Sequence, residues 1–281
     1  MRVHMSVKFN HEQLIRKRYE LAERFANQAG AILQRSNLSS LSIKIKSDST
    51  PISKFDKAID ELFREMLFKS EFKHDQIISE EGSRDFNLKV KERWILDSID
   101  GTANFINRRS HFAVSLGYWE GTRPVFGFIV KPENNSFITL SALRNHGMFL
   151  DNATFIPPVA ARNIGGADFN YKTYDPSFDI WMELRKINPM QEMRVLGSIA
   201  CGISEVATGK LSFYLHSCPK LWDVAAGIPI ILGARMTTNK YIIDMNKASE
   251  NNFELGMFIA TQDKATLETI REISRKIRSP Y

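Results

Sequence analysis

Apolar residues recur at helical spacing in two stretches near the start of the chain. Because a period of three to four residues places side chains on one face of a helix, the pattern predicts helices over residues 12–34 and 59–67. Between them, apolar and polar residues alternate over 41–46, which predicts a half-exposed strand. The polar residues 47–53 then predict a loop that leads to Asp56.

Apolar runs separated by turn residues dominate the middle of the chain. The runs at 112–119 and 124–130 flank a short turn and predict a β-hairpin. Shorter runs at 136–140 and 148–150 predict two more strands of the same antiparallel sheet. The pattern weakens over 152–166, where a pair of prolines and a pair of glycines predict a passage between two halves of the chain.

Helical spacing returns in the second half. The patterns predict helices over residues 176–187, 198–209 and 263–277, a helix that begins near Trp222, and strands over 211–215 and 257–260. This order is compatible with a mixed α/β or an α+β fold.

Composition narrows the class of protein. With 281 residues, of which 43% are hydrophobic and 25% charged, the chain can build a sizeable core, in one large domain or in two closely fused halves. The formal net charge is +6, without a block of five or more consecutive basic residues. Such a charge is compatible with the steering of an anionic substrate and does not require nucleic-acid binding.

The two cysteines, Cys201 and Cys218, form no Cys-x-x-Cys pair and are too few for a disulfide framework. This favours a reducing, cytoplasmic setting. No run approaches the ~20 apolar residues that span a bilayer, and residues 1–5 lack the apolar core of a signal peptide. We therefore expect a soluble protein without a membrane partner.

Carboxylates follow the apolar residues 94–96, which predict a buried strand. Asp97 and Asp100 are expected together at its end, where they repel each other unless cations such as Mg²⁺ or Mn²⁺ neutralise them. The amides of Gly101 and Thr102 would face a phosphate if a helix begins there. Alone, such a segment is as often only an acidic helix cap.

Two further acidic segments strengthen this prediction. Glu80 and Glu81 follow the short apolar strand at 77–78, and Asp223 stands at the start of an apolar helix. Each has an ordinary explanation by itself, a solvated turn and a helix N-terminal charge. Together with Asp97 and Asp100, they predict one site.

These segments make the chain resemble the inositol monophosphatase family, the lithium-sensitive, Mg²⁺-dependent phosphatases of small phosphomonoesters. Residues 97–105 match the family motif D-P-I-D-G-T-x-N-F, with Ser98 where proline is usual. Residues 79–81 match the G-E-E element and 222–227 match W-D-x-A-A-G. Residues 50–56, ending in Asp56, are similar to P-V-T-x-x-D.

The resemblance covers nearly the whole chain and implies its architecture. The expected fold is α+β, a layered α-β-α-β-α sandwich of the inositol monophosphatase and fructose-1,6-bisphosphatase type. A single domain would span residues 1–281, with an α+β half at about 10–155 and an α/β half at about 160–281.

The resemblance also implies two to three Mg²⁺ ions, with Mn²⁺ as an alternative. Their ligands would be Glu80, Asp97 and the carbonyl of Ile99 for the first ion, Asp97, Asp100 and Asp223 for the second, and, through water, Glu80 and Asp56 for a weaker third. Glu81 would support its neighbour.

The implied catalytic residues are Asp56, Glu80 and Thr102, which would position and help to deprotonate an attacking water. The phosphate would lie on the amides of Gly101 and Thr102. The remaining substrate-binding residues implied are Asp100, Gly197, Ser198, His216 and Asp223, although Gly197 and Ser198 also fit an ordinary helix cap.

His216 departs from the family pattern. It lies seven residues before Asp223, where inositol-cleaving members commonly have an acid that binds sugar hydroxyls. The histidine would contact a second phosphate or a different alcohol, or it would be a strand-end residue without a ligand.

The substrate is therefore expected to be of the inositol 1-phosphate type, with histidinol phosphate or a 3′(2′),5′-bisphosphate nucleotide as alternatives. Residues 103–105 favour the inositol branch, whereas residues 50–51 and His216 favour the alternatives.

A function of another class is a regulatory binding partner of the transcription machinery, as in some bacterial relatives. We favour catalysis, because a binding-only protein has no physical reason to keep four mutually repelling acids together. The family also implies a homodimer, for which the apolar face of the hairpin is a candidate contact.

Overall fold

The computed structural model describes residues 2–36, 43–45, 51–82, 86–158, 163–169 and 174–277. The helices in these ranges are α1 (Arg2–Gln34), α2 (Lys54–Phe68), α3 (Thr102–Ile106), α4 (Ser177–Ile187), α5 (Ile199–Ala207), α6 (Leu221–Val224), α7 (Gly227–Gly233), α8 (Met245–Glu250) and α9 (Lys264–Lys276). The strands are β1 (Ile43–Ile45), β2 (Pro51–Ser53), β3 (Gln76–Ser79), β4 (Glu92–Asp100), β5 (Ala113–Glu120), β6 (Arg123–Glu133), β7 (Ser136–Leu143), β8 (Gly147–Leu150), β9 (Ala153–Thr154), β10 (Ile164–Asp168), β11 (Glu192–Arg194), β12 (Phe213–His216), β13 (Thr237–Thr238) and β14 (Phe258–Thr261).

In the described residues, two large sheets alternate with three helical layers, and β1 and β2 form a separate two-stranded sheet. Strands β3 to β9 form a seven-stranded sheet in chain order, and a five-stranded sheet has the order β11-β10-β12-β14-β13. Helices α1 and α2 cover the outer face of the larger sheet, and α4 and α9 cover the outer face of the smaller one. Helices α5, α6 and α7 lie between the sheets. The expected α-β-α-β-α sandwich of the α+β class is confirmed.

Alternation along β4 decides which of its residues face the middle layer. Trp94 and Leu96 pack in the cluster with α1 and α2, whereas Ile95 packs in the cluster between the sheets. Because successive strand residues point to opposite faces, Asp97 shares the inner face with Ile95. The strand thus directs Asp97 toward α6, which carries Asp223.

A glycine pair lets the middle layer approach the larger sheet closely. Gly117 on β5 and Gly127 on β6 are cross-strand partners, and the backbone at Ala225 and Ala226 lies directly on them. A Cβ atom at Gly117 would lie 2.7 Å from the carbonyl of Ala225. The indole Nε1 of Trp119 donates to that carbonyl at 3.0 Å. These contacts bring the end of α6 against the sheet.

Several predicted boundaries differ from the structure. Helix α1 begins at Arg2 rather than at residue 12. The loop predicted over 47–53 is wrong at 51–53, because these residues form β2 and pair with β1. Residues 43–45 form part of the strand predicted over 41–46, whereas residues 41, 42 and 46–50 lie outside the described ranges.

The predicted passage between the halves is wrong at its glycine pair. Gly165 and Gly166 belong to β10, which pairs with β11 and β12 in the smaller sheet. A side chain at Gly165 would collide with the ring of Phe213, so glycine serves strand packing there. Sequence pattern alone could not distinguish this use from a turn.

The hairpin of β5 and β6 exists, but its face is not a dimer contact. Both strands are buried along almost their whole length, because helices cover both faces of the sheet. Exposed apolar side chains occur instead between residues 174 and 195, at Tyr174, Phe178, Met182, Ile187, Met190 and Val195. Within the described residues, no helix is both long and apolar enough to cross a membrane.

Candidate active site

Strand β4 carries two of the predicted acids and is irregular between them. The pairing of β4 with β5 shifts register between Asp97 and Asp100, and Asp97 Oδ1 accepts a hydrogen bond from the backbone N–H of Ile99 at 3.1 Å. The expectation that Asp97 follows the strand's end is therefore wrong, since β4 continues to Asp100. Asp97 already faces inward by regular alternation, and the irregularity turns Asp100 to the same face, where both carboxylates are buried.

Three acids from β4 and α6 converge. One carboxylate oxygen from each of Asp97, Asp100 and Asp223 lies within 4.8 Å of the others. Asp223 is held by its own helix start, where its Oδ2 accepts the backbone N–H of Lys220 at 2.7 Å. Three close carboxylates form the kind of oxygen donor set that binds Mg²⁺, Mn²⁺ or Ca²⁺.

Burial is the main reason why the pKa values of the three carboxyl groups in this cluster are raised. It raises the pKa of Asp97 well above its ordinary value, and the charges of Glu80, Asp100 and Asp223 raise it further. Burial and Asp100 likewise raise the pKa of Asp223. The pKa of Asp100 is raised by burial to about 7, although hydrogen bonds from Ser198 and Ala200 oppose the shift. A bound cation would favour the charged forms of all three groups.

Asp56 lies at the start of α2 with both carboxylate oxygens occupied. Its Oδ2 accepts from the backbone N–H and the hydroxyl of Ser53, at 2.7 Å and 2.6 Å. Its Oδ1 lies 3.2 Å from the hydroxyl of Thr102, which is also 2.9 Å from the carbonyl of Ile99. One hydroxyl proton can serve only one of these acceptors. Burial raises the pKa of Asp56, and the charge of Glu80 adds to the rise.

Glu80 lies at the end of β3, next to β4. Ser79 pairs with Leu96, and the N–H of Glu80 donates to the carbonyl of Leu96 at 3.3 Å. The charge of Glu80 raises the pKa values of Asp56, Asp97 and Asp223, whereas the cluster of three close carboxylates does not include Glu80. Glu81 follows as a half-buried neighbour.

Gly101 links β4 to the short helix α3 in a conformation that favours glycine. Its φ is +83°, and a Cβ atom would lie 2.8 Å from the carbonyl of His111 and 2.9 Å from that of Gly197. The hydroxyl of Ser198 caps α5 and also donates to Asp100 Oδ2 at 2.6 Å. The N–H of Ala200 donates to the same oxygen at 2.6 Å. The start of α5 thus orients Asp100.

Asp168 and Asn104 hold the turn that carries Gly197, and the sequence analysis missed this role of both. Asp168 Oδ1 accepts the N–H groups of Leu196 and Gly197 at 3.0 Å and 2.7 Å, and its Oδ2 accepts from Tyr214 at 2.7 Å. The Asn104 amide donates to the carbonyls of His111 and Leu196 at 2.6 Å and 2.7 Å, and it lies 3.2 Å from that of Gly197. The sequence gives no signal for Asp168, because the strand that it ends, β10, was not predicted.

His216 ends β12 opposite Asp168 in the sheet. Its Nδ1 accepts the N–H of Cys218 at 3.1 Å, so the neutral ring carries its proton on Nε2. Burial lowers its pKa, although Asp168 and Asp175 oppose that shift. His216 is therefore a hydrogen-bond donor where a carboxylate would be an acceptor.

A cavity of about 1220 Å³ lies away from the acids, between the tips of the β6–β8 strands and the end of α7. Arg123, Arg144 and Arg235 line it, and none of the predicted site residues does. The buried convergence of carboxylates therefore identifies the candidate active site better than cavity size.

Comparison with known proteins agrees with the motifs. The family model described as the inositol monophosphatase family matches residues 14–272. The inositol-1-monophosphatase of Bacillus subtilis is 26% identical over 226 residues, which cover 78% of this chain and 84% of the relative. The Nus factor SuhB of Pasteurella multocida is 28% identical over 221 residues, covering 75% and 80%.

Solved structures show the same fold. The crystal structure of an IMPase/NADP phosphatase complexed with Mg²⁺ and phosphate matches with a TM-score of 0.75 at 21% identity. The match covers 92% of this chain and 95% of that one.

Proposed function

The chain belongs to the inositol monophosphatase family and is accordingly a phosphatase of phosphoric monoesters, and we propose that it uses Mg²⁺ to direct water at a small phosphomonoester. The observation that carries this proposal is the buried convergence of Asp97, Asp100 and Asp223 on one inner face. Its chemistry is that of a divalent-cation site, since a divalent cation offsets three close negative charges that would otherwise be relieved by protonation.

The proposed ligand sets share Asp97. Glu80, Asp97 and the carbonyl of Ile99 would hold one Mg²⁺, and Asp97, Asp100 and Asp223 a second. Glu80 and Asp56 would hold a third more weakly, through water. When bound, the ions would acidify the attacking water and neutralise the phosphate and the leaving alkoxide. Mn²⁺ suits the same oxygen ligands.

Thr102 and Asp56 would take the proton from the water. If the Thr102 hydroxyl donates to Asp56 Oδ1, its own oxygen can accept a hydrogen bond from water. When the Thr102 hydroxyl donates to Asp56, the Ile99 carbonyl remains available to a metal. Glu80 would orient the water from the other side.

The phosphate would lie against the backbone at Gly101 and Thr102. Gly101 leaves no side chain between the β4 end and the turn at Gly197 and Ser198. The amides there would stabilise the negative charge that develops on the phosphoryl oxygens. Ser198 would help by keeping Asp100 in place.

His216 supports a substrate other than a simple polyol. A neutral ring with its proton on Nε2 would donate to an acceptor, such as a phosphate or a ring nitrogen, instead of accepting from a sugar hydroxyl. We place inositol 1-phosphate first on motif grounds. Histidinol phosphate and a 3′(2′),5′-bisphosphate nucleotide are the alternatives that His216 favours.

Phosphate release from a substrate panel tests the proposal. The panel contains inositol 1-phosphate, histidinol phosphate, 3′-phosphoadenosine 5′-phosphate, fructose 1,6-bisphosphate and NADP, each with Mg²⁺ or EDTA. We expect one substrate to exceed the others only with Mg²⁺, and Li⁺ to inhibit at limiting Mg²⁺. Release that persists in EDTA would contradict the mechanism.

The similarity to SuhB, described as a Nus factor, supports a second candidate function as a partner of the transcription machinery. Asp97→Asn separates the two functions, because it removes a metal ligand and leaves the surface unchanged. Loss of a transcription complex with this variant would argue against a separate binding role. A homodimer is also proposed on family grounds, and sedimentation equilibrium measures it directly.

A further inference from the structure

We propose that Arg64 is a positioning residue that sets the separation of the Asp56 and Glu80 carboxylates and so controls the affinity of the weakest metal ion. This inference rests on the proposed function, which assigns that ion to these two acids. Neither the motifs nor the family match points to Arg64.

The guanidinium of Arg64 bridges two elements of the site. Its Nε donates to Asp60 Oδ2 at 2.5 Å, and its Nη2 lies 3.3 Å from Asp60 Oδ1. The same Nη2 donates to the hydroxyl of Ser79 at 2.8 Å. Both acceptors are buried, since the Asp60 side chain is 8% exposed and Ser79 is 4% exposed. Buried acceptors make such bonds costly to remove.

The bridge joins the helix of Asp56 to the strand that ends before Glu80. Asp56, Asp60 and Arg64 follow one another at intervals of four residues, so they share one face of α2. Ser79 is the last residue of β3, and Glu80 follows it immediately. Arg64 therefore connects the supports of both acids through Asp60 and Ser79.

The turn after Glu80 leaves room for the bridge. A Cβ atom at Gly82 would collide with Arg64 Nη2 and would lie 2.6 Å from the Ser79 hydroxyl. Glycine at this position thus lets the guanidinium reach Ser79. The packing indicates that the turn containing Glu80 and Glu81 is built around Arg64.

An arginine suits this task better than a lysine. Its planar fork can hold Asp60 and Ser79 at once, whereas an ammonium group is a single point donor on a flexible stem. The second-ion ligands Asp97, Asp100 and Asp223 are supported by β4, α5 and α6 instead. Loss of Arg64 should therefore weaken the two sites that use Glu80, and the Glu80–Asp56 site most, because both of its ligands depend on the bridge. The site of Asp97, Asp100 and Asp223 should be unchanged.

Calorimetric titration with Mn²⁺ tests this selectivity in Arg64→Met, Arg64→Lys and Ser79→Ala. We expect roughly tenfold weaker binding at the weakest site of Arg64→Met, as for other residues that orient metal ligands. The loss should be smaller at the site that pairs Glu80 with Asp97, and the site of Asp97, Asp100 and Asp223 should be unchanged. Arg64→Lys should fall between, and the double variant Arg64→Met/Ser79→Ala should be no weaker than Arg64→Met alone. Lys69→Gln is the control, because it breaks an exposed pair with Glu65 on the same helix.

The Mg²⁺ dependence of phosphate release gives a second readout. We expect Arg64→Met to require roughly tenfold more Mg²⁺ for half-maximal rate, in parallel with the weaker ion. Equal Mn²⁺ affinities in Arg64→Met and Lys69→Gln, or an equal loss at every site, would overturn the proposal. If Arg64→Met does not fold, the Mn²⁺ affinities of Ser79→Ala are compared with those of Lys69→Gln in the same way.

The outcome for the wild-type protein separates the two proposals. A wild type that binds Mn²⁺ but hydrolyses nothing would contradict the proposed function only, and the binding data would still judge Arg64. A wild type that binds no Mn²⁺ would overturn both.

Discussion

The starts of α2 and α6 have the same local construction and different surroundings. In each helix an acid at the third position, Asp56 or Asp223, accepts the backbone N–H of the residue before the helix, at 2.7 Å in both cases. Asp56 gains two hydroxyl contacts, from Ser53 and Thr102, and these occupy both of its oxygens. Asp223 presents an oxygen to Asp97 and Asp100 instead. The comparison teaches that one capping pattern can leave a carboxylate saturated by hydrogen bonds or facing other carboxylates, according to what surrounds the helix start.

The largest expected difference is in the loss of activity when Asp223 or Asp56 is replaced. Asp223→Asn should lower kcat/KM about a thousandfold or more, because it removes a direct metal ligand. It should also raise the melting temperature in EDTA, because one of the repelling charges is gone. Asp56→Asn is the matched variant. It should lower kcat/KM less than Asp223→Asn does and should retain tight Mn²⁺ binding. Equal losses of Mn²⁺ affinity in both variants would break the comparison.

The next test removes the hydroxyl that distinguishes Asp56. Thr102→Val should lower kcat by roughly a hundredfold, the usual contribution of proton transfer, with little change in Mn²⁺ affinity. The control is Thr266→Val, which removes a hydroxyl on exposed α9 that also bonds an aspartate. A kcat that remains at the wild-type value would show that Asp56 does not act through Thr102.

A third test displaces α6 and leaves α2 in place. Gly127→Ala would drive a methyl group into the carbonyl of Ala226, so we expect a loss of about 1–3 kcal/mol in the free energy of unfolding. Because α6 carries Asp223, its displacement should also weaken tight Mn²⁺ binding. Gly256→Ala is the control, because a methyl there meets nothing within 4 Å. Equal stabilities of the two variants in denaturant would contradict the close packing.

The last test concerns the pH dependence of stability. Because the pKa of Asp100 rises from 3.8 to about 7 on folding, the folded state binds more protons than the unfolded state in that range. Stability in EDTA should therefore fall as the pH rises from about 4 to 7. Mg²⁺ should reduce the fall, and so should Asp100→Asn. If the melting temperature falls equally with pH in EDTA and in Mg²⁺, the result would argue against metal binding at this cluster.

The sequence predicted regular elements well wherever burial follows a simple period. The hairpin strands at 112–119 and 124–130 correspond to β5 and β6 within a few residues, because alternating layers bury both faces. Prediction was wrong where glycine has a packing role, as at Gly165. It also missed β2, whose three residues are stabilised by pairing with β1 rather than by their own pattern.

The residues of the candidate site also divide into those that the sequence indicated and those that it did not. Motif spacing indicated the acids of β4, β3 and α6, since these stand at element ends that the apolar pattern marks. Asp168 and Arg64 carried no such mark, because their roles come from partners far along the chain, such as Gly197 and Ser79. Hydrogen bonds between distant segments leave no period in the sequence.

The sequence by itself determined most of the elements, their order and the placement of Glu80, Asp100 and Asp223 at element ends, because these depend on residues a few positions apart. Only the tertiary structure decided which oxygens meet. The glycine pair Gly117 and Gly127 lets the backbone at the end of α6 approach the sheet, and the irregularity of β4 turns Asp100 to the face that Asp97 already occupies. Convergence within 4.8 Å depends on this packing, since no local interaction joins Asp97 to Asp223.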